Sequence, residues 1–242
     1  RGMFRQDIWT EWAAQMMGAN RHGGEHIAEA VKRGFEVFPQ IELGKQLTGE
    51  DCKWYNEWVT NTSEDDPYWS EGFWCELKDS LKDIHIPLFL HGGWYDVFIR
   101  SQLESWRALP KETRGKSRFE IGPWHHGGTP SGDLTYPGEA RTGLFQIKEA
   151  LEWFDYQLKG KPYPHRLGVV EAYSIGDNKW KVWEDDIVTE SHIVFYFDMD
   201  NALSVEKPSD IGKTVFVYDP NDPIKSLSFG LAKGSVYHPG PG

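Results

Sequence analysis

Two short stretches hold the residue types that acid–base chemistry needs. The first is His91-Gly92-Gly93-Trp94-Tyr95-Asp96 and the second is Gly122-Pro123-Trp124-His125-His126. A carboxylate beside an imidazole fixes the tautomer of the ring and stabilises its cation. The ring then takes a proton from a nucleophile and returns it to a leaving group. His125 and His126 are both candidates for that ring. Each residue also has a plainer role open to it. Asp96 stands where it would cap a helix starting near Val97, and a histidine in a glycine-rich loop is commonly structural. The joint pattern favours catalysis: an Asp and then a His, each on a Gly-rich turn that follows an apolar run.

Two other groupings compete. His22-Gly23-Gly24-Glu25-His26 matches H-x-x-E-H, an inverted zinc-protease signature. That chemistry needs both rings on one helical turn, and each of the two glycines would cost a helix about 1 kcal/mol relative to Ala. A Gly-rich turn between helices, without zinc, is the expected reading. Asp65 and Asp66 are adjacent and precede Pro67, so they read as a solvated turn rather than as a glycosidase-like carboxylate pair.

The elements that must position Asp96 and the His pair follow from periodicity. Ile86-Pro87-Leu88-Phe89-Leu90 is a short apolar run ending at Gly92-Gly93, like a buried parallel strand. An amphipathic stretch follows, with Phe98, Ile99, Leu103 and Trp106 on one face, and Arg118–Ile121 forms a second short run before Gly122-Pro123. This is strand–helix–strand in the length of a βαβ unit. Parallel strands present their C-terminal ends at one edge, where open α/β sheets bind ligands. The order Asp then His is also the order in which an α/β-hydrolase triad continues after its Ser. Upstream, Phe4, Ile8, Trp12 and Met16 predict a helix over residues 1–18, with a second over 25–33; residues 39–72 read as short helices and loops, in the style of a lid. Downstream, Leu144, Ile147, Leu151, Phe154 and Leu158 give a regular helix with Gly160 at its C-cap. Past Pro164 the runs Val169–Tyr173, Trp180–Trp183, His192–Phe197 and Thr214–Tyr218 predict a separate β-rich domain.

Composition bounds the function classes. The net charge is −11 without a basic block, so the electrostatic footprint of a nucleic-acid binder is missing and an anionic membrane surface is a poor partner. No apolar run approaches the roughly 20 residues that cross a bilayer. Cys52 and Cys75 make no CxxC pair, which argues against a cysteine-built zinc site. Asn61-Thr62-Ser63 is a formal glycosylation acceptor that matters only in a secretory pathway. Twelve Trp, ten Tyr and thirteen Phe exceed ordinary use, and aromatics both fill cores and line apolar pockets.

Gly93-Trp94-Tyr95-Asp96-Val97-Phe98 and Gly122-Pro123-Trp124-His125-His126 together resemble the motifs of the CocE/NonD hydrolases, relatives of the X-Pro dipeptidyl-peptidases. Asp65-Asp66-Pro67-Tyr68-Trp69 is similar to the segment leading from that family's helical cap to its sheet, and Tyr218-Asp219-Pro220-Asn221-Asp222-Pro223 to a loop of its jelly roll. The resemblance spans roughly residues 60–225. It implies that Asp96 is the triad acid and His126, at the fifth position of Gly-Pro-Trp-x-His, the base, with His125 the second choice. It also implies that Phe98 lines the acyl pocket, while for Trp94 and Tyr95 a place near the site and a place in the core are both open. One departure stands out. The family's nucleophile sits in a Gly-x-Ser-x-Gly elbow, and none of Ser101, Ser131, Ser174, Ser228 and Ser235 has both flanking glycines.

The expectation is therefore part of an α/β serine hydrolase. Residues 1–75 would form a helical cap, 76–163 the C-terminal part of the hydrolase core, and 164–242 an incomplete β-sandwich or jelly roll. The Ser would come from a missing N-terminal part of the same protein, and this piece alone would not turn over substrate. The substrate would be a small-molecule ester, or an amide or X-Pro peptide. No metal or organic cofactor and no nucleic-acid or membrane partner is implied. Homo-oligomerisation is compatible with the sequence, and a cytoplasmic location is expected, with secretion left open. The rival from another class is a non-catalytic carbohydrate- or peptide-binding protein on a relic hydrolase scaffold.

Overall fold

Helices come first, then a sheet with helices against both faces. The computed structural model describes residues 6–19, 37–130, 134–137, 141–187, 191–198, 202–209, 212–213 and 215–219. The helical segment comprises α1 (Gln6–Ala19), α2 (Leu43–Thr48), α3 (Lys53–Thr60), α4 (Pro67–Ser70) and α5 (Phe73–Asp79), with 3₁₀ turns at Gln40–Glu42 and Ser80–Asp83. Its core is Ala13, Met17, Val37, Leu43, Cys52 and Tyr55, with Trp54 and Trp58 packed alongside. The Tyr55 hydroxyl is buried there and is satisfied by Thr10 and Gln40, as a buried phenol requires. Helix α1 continues through Gly18 to Ala19, so that glycine is not the stop. Both cysteines are free. The motif His22–His26 and the helix expected over 25–33 lie outside the described residues.

The sheet has the order β1 (Phe89–Gly93), β2 (Arg118–Gly122), β3 (Val169–Ser174), β4 (Lys179–Glu184). The first three strands run parallel and β4 returns antiparallel to β3. Between β1 and β2 lie α6 (Ile99–Ala108) and the short α7 (Lys111–Gly115), and α8 (Leu144–Lys159) connects β2 to β3. β1 starts at Phe89, three residues later than the apolar run suggested. Pro87 has no N–H to give to a ladder, and the Leu88 N–H donates to Ser117 Oγ instead.

Strand alternation sorts the two faces. On the α6 side, Phe119, Ile121, Val170 and Ala172 pack under Trp106, Leu103 and Ile99; burying a side chain such as Phe119 or Ile121 stabilises the fold by about 2 kcal/mol. The α8 side is different. Arg118 and Glu120 of β2 are fully buried there and meet Glu149 of α8 and Glu171 of β3. This polar layer sets how α8 is turned. The helix and its left-handed Gly160 cap are as predicted, but the stripe Leu144, Ile147, Leu151, Phe154, Leu158 is exposed, and Glu149 and Trp153 face the sheet. A sheet face carrying a buried Arg118 draws a carboxylate toward it, because an unpaired buried charge is costly.

The domain boundary drawn at 163/164 also needs correction. The runs Val169–Tyr173 and Trp180–Trp183 were expected to open a β-rich second domain. Instead they extend the central sheet. Short β-branched and aromatic strands look alike in sequence whether they join an existing sheet or start a new one. Beyond them the described residues hold one small ladder, β5 (Tyr196–Phe197) with β6 (Leu203–Ser204), and 215–219 is irregular where a strand over Thr214–Tyr218 was expected. The loop Tyr218–Pro223 lies mostly outside the described residues.

Candidate active site

The two motifs leave the C-terminal ends of neighbouring parallel strands, in the register Gly93 opposite Gly122. Two backbone hydrogen bonds continue the pairing past the strands. The Trp94 N–H donates to the Gly122 carbonyl at 2.9 Å and the Tyr95 N–H to the Trp124 carbonyl at 3.0 Å. The chains approach closely here. A Cβ on Gly93 would lie 2.1 Å from the Trp124 oxygen, and one on Gly122 would meet the Trp124 indole at 2.2 Å. Glycine at both strand ends is therefore a steric requirement of the juxtaposed turns.

The result is a carboxylate beside an imidazole. His126 Nδ1 lies 3.1 and 3.2 Å from the two Asp96 oxygens. An ionised carboxylate only accepts, so Nδ1 carries the hydrogen and the lone pair of the neutral ring is on Nε2. The Asp96 side chain is 10% exposed and His126 50%, so the acid is held in a protected position and the ring reaches solvent. Asp96 also accepts the Phe98 N–H at 2.8 Å. That bond closes the turn before α6, whose N-cap is Phe98 without a side-chain cap, so Asp96 does not cap the helix and is left to the ring and the turn.

His125 goes elsewhere. Its Nδ1 accepts the Gly127 N–H at 2.8 Å, so Nε2 carries the proton and faces Thr129 Oγ1 at 3.0 Å. The ring is buried and braces the Gly127–Thr129 turn.

The remaining sequence-chosen residues separate into two groups. The Phe98 ring stands edge-on to His126 at 5.1 Å and meets Trp9 at 5.9 Å; Trp9 in turn meets Trp58 at 5.8 Å. An aromatic wall therefore runs from the helical segment to the imidazole. Trp9 was not singled out by sequence, because no periodicity links it to Phe98 some ninety positions on. Trp94 packs into the sheet core on the α6 side and donates its indole N–H to the Tyr173 carbonyl at 2.7 Å. Its position is that of a brace between β1 and β3. The Tyr95 hydroxyl accepts from Tyr136 at 2.9 Å, which ties the middle of the loop after β2 to the Asp96 turn.

Beneath the site, His91 stacks on Trp124 at 4.3 Å. Burial, with the Arg118 charge adding to it, pushes its pKa down to about 4, so the ring is neutral. Glu120, opposite His91 in the ladder, is pushed up by burial and by the neighbouring Glu149, against the pull of Arg118. The sequence signal for this polar layer was present, as alternating charges within the otherwise apolar β2 run, and it was passed over.

Comparison with known proteins agrees with the motifs. Residues 1–128 match the family described as X-Pro dipeptidyl-peptidase (S15 family). The cocaine esterase of Rhodococcus sp. (strain MB1 Bresler) is 24% identical over 221 residues, covering 83% of this chain and 36% of the esterase. Among solved structures, an aminopeptidase from a marine sediment archaeon, Thaumarchaeota archaeon, superposes with a TM-score of 0.69 at 22% identity, over 98% of this chain and 41% of the aminopeptidase. The chain thus spans about two-fifths or less of the length of these relatives, and the structural likeness speaks to the fold. The matched stretch takes in both turns, from Asp96 to His126, and more than half of the sequence: the chain belongs to the X-Pro dipeptidyl-peptidase (S15) family, as its resemblance to the CocE/NonD hydrolases led one to expect.

Proposed function

We propose that the protein containing this chain is a serine hydrolase of the α/β-hydrolase type that cleaves esters. The observation that carries the reading is the placement of His126 Nδ1 within 3.2 Å of both Asp96 oxygens, at the strand edge where such folds bind ligands. No Gly-x-Ser-x-Gly elbow occurs in these 242 residues, so the attacking serine is assigned to chain outside them. Its Oγ gives its proton to His126 Nε2 as it bonds to the acyl carbon. The resulting imidazolium is stabilised by Asp96, and its proton then passes to the leaving alcohol as the acyl C–O bond breaks. Water repeats the sequence on the acyl-enzyme, with His126 again as base and then as acid. This needs no metal or organic cofactor.

Phe98, extended by Trp9 and Trp58, forms the acyl-facing wall in this reading, with Tyr95 at its margin. An aromatic wall suits an apolar acyl group, which favours an ester over an X-Pro peptide. The S15 membership keeps the peptide as the alternative outcome. Residues after Glu184 are assigned to the jelly-roll domain that the resemblance implies.

The test is labelling of the full-length protein with a fluorophosphonate, alongside turnover of aryl esters and of an X-Pro anilide. Labelling that disappears in His126→Ala supports the reading. A parent protein that takes no label and turns over neither substrate defeats it and returns the binding-protein rival. Faster turnover of the anilide than of any ester would move the substrate class to peptides.

A further inference from the structure

His126 lies shortly after β2, and Arg141 lies shortly before α8. Arg141 reaches back under the sheet: its Nη2 donates to Glu171 at 2.8 Å and its Nη1 to Glu120 at 3.3 Å. The guanidinium also lies 4.0 Å over the Trp180 ring. Its backbone has a φ of 46°, a region that non-glycine residues enter rarely, and a side chain locked between two strands is what holds such a conformation in place. Five residues on, Gln146 in the first turn of α8 donates to the Gly128 carbonyl at 2.8 Å. Gly128 closes the turn that begins at His125. A continuous path thus runs from the buried carboxylates through Arg141 and the start of α8 to the turn bearing His126.

We propose that Arg141 is a positioning residue for His126, acting through Gln146: it latches the return of the catalytic-His loop to the Glu120–Glu171 pair and so fixes where the imidazole sits. The inference rests on the hydrolase reading for its kinetic consequence but not for its geometry. Lysine cannot replace this residue fully, because acceptor oxygens of two carboxyl groups on adjacent strands are spanned by the planar fork of a guanidinium and not by a point charge.

The test uses the full-length protein. With a p-nitrophenyl ester, Arg141→Ala is expected to lower kcat on the order of 10- to 100-fold, the range for displacing a catalytic group by about an ångström, with KM little changed. Added guanidinium is expected to restore activity and the neutral isostere urea is not. Gln146→Ala should add little to Arg141→Ala if the two act along one path. The second readout is the imidazole resonances of His126, which should shift in Arg141→Ala and return with guanidinium. Should Arg141→Ala fail to fold, Arg141→Lys takes its place and is expected to show a smaller loss of kcat with the same shift in direction. Unchanged kcat and unmoved His126 resonances overturn the proposal, as does rescue by urea equal to that by guanidinium. A rise in KM alone would also overturn it, making Arg141 a substrate contact. A parent that hydrolyses nothing defeats the hydrolase reading, while the His126 resonances still decide the latch.

Discussion

Gly93 and Trp124 touch so closely that a Cβ on Gly93 would sit 2.1 Å from the Trp124 carbonyl oxygen. That contact brings the Asp96 turn against the His126 turn, because the same carbonyl accepts the Tyr95 N–H. Gly93→Ala should therefore force the two strand ends apart. Backbone cannot yield as a flexible side chain does, so a loss of about 2 kcal/mol or more in stability is expected. A calorimetric melt of the variant checks this, and proton spectra of His126 should show the ring released from Asp96. Gly115→Ala is the control, since a Cβ there meets nothing within 4 Å.

On the proposed function, Asp96 and His126 should answer to substitution differently from their neighbours. Asp96→Asn puts an amide where an acceptor held the Nδ1 hydrogen, which favours the wrong tautomer, and a fall in kcat of about 10⁴ is expected by analogy with such changes in known triads. His126→Ala should abolish turnover in the full-length protein. His125→Gln should retain activity and lose stability instead, because the ring is buried and braces the turn through Gly127 and Thr129. Steady-state kinetics with melting curves on all three separates these outcomes, and the reverse assignment of the two histidines would show as loss of activity confined to His125→Gln.

Much of this site could be read from sequence because its information is local. Asp96 and His126 each follow a short apolar run and sit on glycine-rich turns, and parallel pairing does the rest. What could not be read depends on contacts between distant positions. For α8, periodicity says which residues share a face and not which face turns inward; Arg118 and Glu149 decide that. The strand at Val169–Ser174 was placed in a second domain because nothing in its own residues names β2 as its neighbour. Which of its two open roles Trp94 takes, near the site or in the core, rests on its indole bonding Tyr173, far along the chain, as a brace.

That brace is itself testable. Trp94→Phe keeps an aromatic ring, though a smaller one, and removes the indole N–H, leaving the Tyr173 carbonyl without that donor. The cost should be about 1–2 kcal/mol of stability, measured by denaturant titration, with KM unaltered. A raised KM at unchanged stability would instead place Trp94 against the substrate.

Two buried groups give stability opposite dependences on pH. His91 is favoured neutral in the fold, with its pKa near 4 against an ordinary 6.5. Its contribution is full above pH 6.5 and is lost as pH falls toward 4. Glu120 is held up at about 8 against an ordinary 4.5, first by burial. Its contribution is full below 4.5 and is lost as pH rises through 8. Between pH 6.5 and 8 only the second acts, so the melting temperature should decline across that interval, and Glu120→Gln should flatten it while keeping an oxygen for Arg141. Below 6.5 the two oppose, and His91→Gln should unmask a rise in melting temperature toward acid. Scanning calorimetry from pH 4.5 to 9 on the three proteins tests both signs.

Phe98 should govern which acyl groups are accepted. Its ring is 5.1 Å from His126 and 5.9 Å from Trp9, so it borders the imidazole on one side and the helical segment on the other. Truncation to Ala removes a face against which an acyl ring or chain would pack, and an aromatic contact of this kind contributes about 1 kcal/mol beyond its buried area. Together with that area, the change should lower kcat/KM for an aromatic acyl ester roughly tenfold or more relative to an acetyl ester. The Asp96–His126 pair does not depend on this ring for its hydrogen bonds, so kcat for the acetyl ester should be nearly preserved. Equal losses on both esters would mean that Phe98 supports the imidazole rather than selecting the acyl group.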